Sequence, residues 1–239
     1  MKNEKLMLKG ESKLQNDYVS EKIENSLKHI VPLTFGEEVG NSVSHGVASL
    51  LFIFLLPFTA IYMYVNGGLT HAVGGSIYVI TMLLMFLTST LYHIMAHNSQ
   101  HKYVMRLIDH SFIYLAIAGS YTPIALSVIG GKWGITVLAI QWVAAVFGIL
   151  YKVLSKKVNP KVSLAFYLIM GWMVVPFLPM ILMKSDWVFI LMLVLGGVAY
   201  TIGAWFYAQK NRNYFHMIWH LFIILAAVLQ YIGIVFYIK

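Results

Sequence analysis

Seven long apolar stretches follow one another along this 239-residue chain, and they constrain its fold more than any other feature. They lie at about residues 42–65, 71–94, 104–129, 133–152, 162–183, 187–208 and 214–238. A bilayer core about 30 Å thick needs roughly 20 apolar residues per helix, so each stretch is long enough to cross a membrane. The stretches lack the alternating pattern of barrel strands, which favours helices. The sequence therefore predicts an all-α integral membrane protein, a seven-transmembrane helix bundle.

The composition excludes several classes of protein. Hydrophobic residues make up 59% of the chain and charged residues 11%, which is more apolar than a soluble domain of this length can accommodate. There is no cysteine, so a disulfide framework and a thiolate metal site are both excluded. The net charge of +8 would suit a nucleic-acid partner, but the basic residues lie beside the apolar stretches. We therefore interpret them as orientation signals and expect no nucleic-acid partner.

The distribution of lysine and arginine predicts a cytoplasmic N-terminus and an outside C-terminus. With that orientation, 14 of the 17 basic residues fall inside, and only Lys132, Lys184 and Lys239 fall outside. Cytoplasmic loops of membrane proteins carry such an excess of positive charge. The same bias supports an odd number of spans, since deleting one span would scramble the pattern.

Two segments follow from this reading. Residues 1–40 are expected to form a cytoplasmic tail, and residues 41–239 the seven-transmembrane bundle. Within the tail, Val19, Ile23, Leu27 and Ile30 recur near helical spacing. That spacing is consistent with a helix lying along the inner membrane surface, and equally with a short solvated helix or tail.

Buried ionisable residues are rare in membrane spans and are usually functional. Spans 1, 3 and 7 begin at the cytoplasmic face in this orientation, and span 2 ends there. Four helices thus bring one layer of side chains to that face: His45, His93, Asp109, His216 and His220.

The pair His216 and His220, four residues apart, projects from one side of a helix. Two such imidazoles can bind one metal ion, or they can hydrogen-bond neighbouring helices. His93 is a candidate third ligand at a similar depth, with Ser89 one turn earlier on the same face. Three neutral imidazoles and one open position are typical of a catalytic zinc site.

Asp109 has two interpretations. It can form an ion pair with Arg106 one turn away, or it can orient a metal-activated water and accept its proton. Both roles are compatible with a partly buried carboxylate. His110 points about 100° further around the helix and is expected to be a packing or interfacial residue.

Three blocks of sequence carry a resemblance to a known family: "EEVGNSVSHG" at the entry to the first span, "STLYHIMAH" continued by "RLIDHSFIYLAIAGSYTP", and "FHMIWH" near the start of the last span. The chain resembles the hemolysin III proteins over residues 37–239. These are bacterial members of the progestin and adipoQ receptor (PAQR) family. They also belong to the wider CREST superfamily of membrane hydrolases, which includes alkaline ceramidases.

The resemblance implies a zinc ion held by His93, His216 and His220. It also implies that Asp109 hydrogen-bonds the water on that zinc and that Ser89 supports the site. The remaining motif residues would lie around the ligands or at the entry of the first helix: Glu38, Asn41, Ser44 and His45.

Two of those residues have ordinary alternatives. Asn41, or its neighbour Ser42, could cap the first span, whose backbone N–H groups need partners. For His45, we expect a hydrogen bond inside the bundle rather than metal ligation.

Two functions from different classes fit these features. One is a zinc-dependent, ceramidase-like hydrolase that acts on an amide or ester bond of a membrane lipid. The other is a receptor-like sensor of membrane lipid homeostasis in which zinc is structural. A channel or haemolytic pore is disfavoured because polar groups are scarce through the middle of the spans. A multi-pass location in a bacterial plasma membrane is expected.

Overall fold

The computed structural model describes residues 33–97, 99–155, 158–209 and 212–238, and these are almost entirely helical. The predicted all-α class is confirmed for these residues, none of which lies in a strand. In chain order the α-helices are α1 Phe35–Ile94, α2 Gln100–Pro123, α3 Gly131–Leu154, α4 Pro160–Trp172, α5 Leu178–Lys184, α6 Trp187–Ala208 and α7 Phe215–Tyr237. A π-helical turn, Ile124–Ile129, continues α2, and a 3₁₀ turn, Val175–Phe177, precedes α5.

Six of the helical segments in the described part of the chain are long and apolar enough to cross a membrane. Their outward faces carry large apolar side chains, such as those of Phe54, Ile61 and Trp205, that are more than half exposed. Such a surface is stable against lipid chains rather than water. The chain is therefore a multi-pass membrane protein.

Helix α1 reverses direction at Gly68. A straight helix of 60 residues would be about 90 Å long, roughly three times the bilayer core. Gly68 has a φ of 76° and a ψ of −168°, a conformation that glycine adopts without steric cost. The first arm, residues 35–67, then packs against the second arm, residues 69–94, so that Glu38 contacts His93. The predicted connection at residues 66–70 coincides with this reversal.

The start of α1 differs from the predicted start near residue 42. Thr34 is the N-cap, its hydroxyl accepts the Glu37 N–H at 3.3 Å, and Glu37 accepts the Thr34 N–H at 2.9 Å. This reciprocal capping box starts the helix at Phe35. The predicted capping by Asn41 or Ser42 is therefore wrong, and the last residues assigned to the tail belong to α1. The proposed surface helix around Val19 to Ile30 lies outside the described residues.

Proline interrupts the fifth predicted span. The sequence predicts one helix over residues 162–183, whereas α4 ends at Trp172 and α5 begins at Leu178. Pro176 and Pro179 lack the N–H that a continuous helix requires, so the chain passes through a 3₁₀ turn instead. Two side chains reach the loosened backbone: Tyr121 donates to the Gly171 carbonyl at 2.7 Å, and Gln141 to that of Met170 at 2.9 Å.

The last helix is held between the two arms of α1. Tyr78 on the second arm donates to the Ala227 carbonyl at 2.6 Å. Thr59 on the first arm and Tyr231 share a hydrogen bond of 2.9 Å. Phe52 and Phe86 fill the space between these contacts, with their ring centroids 5.3 Å apart. These contacts do not involve the histidines of α7, and they fix the position of the helix.

Candidate metal centre

Three imidazoles meet at one end of the bundle. His93 is in the last turn of the second arm, and His216 and His220 are in the first two turns of α7. Each offers one ring nitrogen, and these atoms all lie within 4.8 Å of one another. The Nε2 atoms of His216 and His220 are 3.2 Å apart. The predicted ligand set is thus brought together by the fold.

The cluster could hold a divalent metal ion, and one of its nitrogen pairs has the spacing that a zinc site requires. Zn–N bonds of about 2.0–2.1 Å in a tetrahedral site place ligand nitrogens about 3.3 Å apart. The 3.2 Å separation of the α7 pair is close to that value. The Nε2 atom of His93 is buried and has no hydrogen-bond partner among the described residues. A buried, unpaired acceptor is costly, and coordination of a cation would satisfy it.

His93 is oriented by a carboxylate. Its Nδ1 atom lies 2.6 Å from Oε2 of Glu38, so Nδ1–H donates and the lone pair of Nε2 is left for the cluster. Histidines that bind metals usually donate their second ring N–H to such an acceptor, which fixes the tautomer and the ring orientation. This contact supports the prediction that Glu38 lies beside a metal ligand.

The start of α7 is fastened to α1 by the adjacent residue. The Tyr214 N–H donates to Oε1 of Glu37, which is buried. Tyr214 has a φ of 62°, a left-handed conformation that is uncommon outside glycine. Glu37 stabilises this conformation two residues before His216. Glu37 was not among the predicted site residues, although the spacing Thr34-x-x-Glu37 is that of a capping box.

Asp109 and Ser89 lie together beside the second arm. Both are buried, and Ser89, one turn before His93 on the second arm, is a close neighbour of the Asp109 carboxylate. Oδ2 of Asp109 is 3.0 Å from Nδ1 of His110. The alternative ion pair with Arg106 is not among the contacts within 4.0 Å that join charged groups of the described residues. His110 is more than a packing residue, because it contacts the carboxylate.

The other motif residues surround the cluster without joining it. His45 stacks on His220, with ring centroids 3.9 Å apart and an interplanar angle of 22°. Neither ring nitrogen of His45 makes a hydrogen bond of ordinary geometry within the described chain, so the predicted hydrogen bond gives way to stacking. Asn41 is fully buried one turn earlier, and Ser44 donates to the Asn41 carbonyl at 3.1 Å.

An apolar cavity of about 190 Å³ lies next to the cluster. It runs between the second arm, α2, α4, α6 and α7, and it includes the proline-broken stretch at Trp172 and Val175. Tyr207 and Trp219 line the cavity and pack on His216, with centroid distances of 6.0 and 4.8 Å. Tyr207 is on α6 and His216 is on α7, so no local pattern marks that contact, whereas Trp219 follows His216 by one turn on α7.

Comparisons with known proteins show the family to which the chain belongs. A family model described as "Haemolysin-III related" matches residues 33–231. The chain is 37% identical over 205 residues to the Hemolysin-3 homolog of Bacillus subtilis, covering 85% of this chain and 95% of that protein. It is 33% identical over 202 residues to Hemolysin-3 of Bacillus cereus, covering 84% and 92%. It is 31% identical over 174 residues to the human Monocyte to macrophage differentiation factor, covering 66% and 67%.

Proposed function

The chain belongs to the haemolysin-III-related family of multi-pass proteins in the bacterial cell membrane, and from that premise we propose that it is a zinc-dependent hydrolase of membrane lipids. The bond cleaved would be an amide or an ester. The observation that carries this proposal is the cluster of three imidazoles, two of them buried and one half-buried, with an apolar cavity next to it.

Each polar residue has a role in this proposal. His93, His216 and His220 would hold the zinc ion, which would supply a Lewis acid that polarises a carbonyl and activates a water. Hydrolysis delivers the hydroxyl of water to the acyl carbon and a proton to the leaving amine or alcohol. The Asp109 carboxylate would take that proton from the water and pass it on. Ser89, a close neighbour of Asp109, would keep the carboxylate oriented by donating a hydrogen bond to it.

The cavity supports a lipid as the substrate. Its lining is mostly apolar, from Met82 and Ile117 through Trp172 to Ile223, so it suits a hydrocarbon chain. Gln230, ten residues after His220 on α7, lies about 15 Å further along that helix and also lines the cavity. An acyl chain lying along this path would place its carbonyl near His216.

The proposal includes a topology. The two arms of α1 would cross the membrane separately, which gives seven spans from the six long helical segments. The excess of lysine and arginine would place the N-terminus and the histidine cluster at the cytoplasmic face. Water would then reach the cluster from the cytosol, and the lipid from the inner leaflet.

A lipid panel tests the hydrolase. Purified full-length protein, loaded with zinc, is incubated with ceramides, phospholipids and N-acyl lipids, and the released fatty acid is measured by mass spectrometry. We expect release that stops on chelation and returns with zinc. No product from any lipid class, in protein that holds zinc, would reject the hydrolase.

A second function, a lipid sensor with a structural zinc, is favoured by one observation. The cluster joins α7 to the far end of the α1 hairpin, so a metal there would cross-link distant segments. In a sensor, His216→Ala would destabilise the bundle and Asp109→Ala would keep both zinc and function. In a hydrolase, Asp109→Asn would keep zinc and lose activity.

A further inference from the structure

Lys102 is a buried cation that the proposed chemistry does not use. It lies in the first turn of α2 and is only 2% exposed. A buried ammonium group without partners is very unfavourable, so its contacts indicate what it does. The sequence analysis counted Lys102 as one of the cytoplasmic orientation charges. Its burial assigns it another role.

Three groups surround the Lys102 ammonium. Nζ donates to Oε1 of Glu38 and, at 3.2 Å, to the Met95 carbonyl at the end of the second arm. It also lies 5.1 Å from the centre of the Tyr92 ring, a cation–π distance. The backbone at Lys102 is fixed as well, because the Ser99 hydroxyl accepts its N–H at 3.0 Å.

Glu38 is therefore shared between a lysine and a histidine. One carboxylate oxygen accepts from Lys102, and the other accepts from Nδ1 of His93 at 2.6 Å. The ammonium compensates the negative charge and fixes the rotation of the carboxylate plane. A carboxylate held at both oxygens presents its second oxygen to His93 in one direction only.

We propose that Lys102 is a positioning residue for the metal centre: through Glu38 it fixes the orientation of His93 and so sets the affinity of the three-histidine cluster for zinc. This inference rests on the metal site of the proposed function. It does not depend on whether the protein hydrolyses a lipid. It adds a third helix, α2, to the two that carry the ligands.

A purely structural role is the alternative, because Lys102 also caps the carbonyl end of the second arm through Met95. The two roles differ in their dependence on Glu38. A positioning role acts through the carboxylate, so the effects of Lys102→Met and Glu38→Gln should not add. A capping role is independent of Glu38, so their effects should multiply.

The experiment is a double-mutant cycle on full-length protein in detergent micelles. Zinc affinity is measured by competition with a chelator for the wild type, Lys102→Met, Glu38→Gln and the double variant. Cobalt(II) replaces zinc in parallel samples, since its visible spectrum reports ligand geometry. Lys184→Met is the matched control, because Lys184 also donates to a helix-terminal carbonyl, that of Ile129 at 2.8 Å, but at the other end of the bundle.

We expect each single variant to lower zinc affinity about 10- to 100-fold, as is typical of residues that support a metal ligand. The double variant should lose no more than Glu38→Gln alone, Lys102→Arg should recover part of the loss, and Lys184→Met should bind zinc as the wild type does. The cobalt spectrum should change in Lys102→Met. If that variant is too unstable to purify, the double variant and Lys102→Arg supply the same comparison.

Two results would overturn the inference. The first is a Lys102→Met protein that binds zinc as tightly as the wild type and has an unchanged cobalt spectrum. The second is a double variant in which the losses of zinc affinity from the two single variants multiply. A wild-type protein that binds no zinc would overturn both this inference and the proposed metal site. Zinc binding without lipid hydrolysis would reject the enzyme and leave Lys102 in its positioning role.

Discussion

The two ends of the bundle are built differently. At the histidine end, which contains Thr34, His93, Ser99 and Tyr214, side chains start the helices and join them through carboxylates and hydroxyls. At the opposite end, Asp186 caps α6, but the α1 hairpin and the connection from α2 to α3 turn on glycines with positive φ: Gly68, Gly130 and Gly131. Among the described residues, the group that could hold a metal lies at the histidine end.

The residues at the histidine end are constrained by the chemistry of the site, whereas those at the opposite end are constrained by folding. A turn built on glycine needs only a backbone conformation, and it places no particular side chain. A junction built on buried carboxylates fixes the directions of the side chains it contacts, at the cost of burying charge. We therefore expect substitutions at the opposite end to change stability alone, and those at the histidine end to change metal binding as well.

Removing a ligand should have the largest effect. His220→Ala should lower zinc affinity by more than about 100-fold, beyond the range typical of residues that only support a ligand. His71→Ala, a histidine on the second arm near Gly68, is the control and should keep the wild-type zinc content. Metal analysis of the purified proteins measures both. Equal zinc content in the two variants would contradict the proposed difference between the two ends of the bundle.

Asp109→Asn should separate chemistry from metal binding. The amide keeps the size of the side chain but accepts no proton, so lipid hydrolysis should fall by about 100-fold or more while zinc remains bound. Asp186→Asn is the control at the opposite end. Asp186 caps α6 by accepting the Val188 N–H at 2.8 Å, and asparagine caps equally well. Fatty-acid release and zinc content are measured side by side; unchanged hydrolysis in Asp109→Asn would contradict the proton-transfer role.

Glu37→Ala should affect stability and zinc together. It removes the capping box of α1 and the acceptor of the Tyr214 N–H, which should cost about 1–3 kcal/mol of folding free energy. Because Tyr214 is two residues before His216, zinc affinity should fall as well. Unfolding in detergent and chelator competition measure the two effects. Lower stability with unchanged zinc affinity would show that the start of α7 does not position its ligands.

Gly68→Ala is the matching change at the opposite end and should have the smallest effect. A Cβ at a φ of 76° is strained, which should cost about 1–2 kcal/mol. Nothing lies within 4 Å of that Cβ, so no further clash is expected. Zinc affinity should equal that of the wild type. A loss of zinc comparable to that of Glu37→Ala would mean that the two ends are coupled through the hairpin.

The apolar runs predicted the helices well, because lipid leaves a chain few alternatives to a continuous helix. Helix α6 and α7 match their predicted spans closely, and the three histidines were predicted from their shared depth. Pro176 and Pro179 interrupt the fifth span, and the break between Trp172 and Leu178 forms part of the cavity wall. The capping signature at Thr34 was present in the sequence and was missed.

The unpredicted parts of the site depend on contacts between distant segments. Lys102 contacts Glu38 across 64 residues, and Glu37 contacts Tyr214 across 177 residues. Helical periodicity reports which face of one helix is apolar, but not which residue of another helix it meets. The stacking of His45 on His220 was missed for the same reason.

X-ray absorption at the zinc edge tests the central claim most directly. Protein purified with zinc available should show one tightly bound ion with three imidazole nitrogens at about 2.0–2.1 Å and one lighter oxygen ligand. His93→Ala should lose one imidazole from that shell. A wild-type protein that remains free of metal, or an ion surrounded by oxygen atoms alone, would contradict the account.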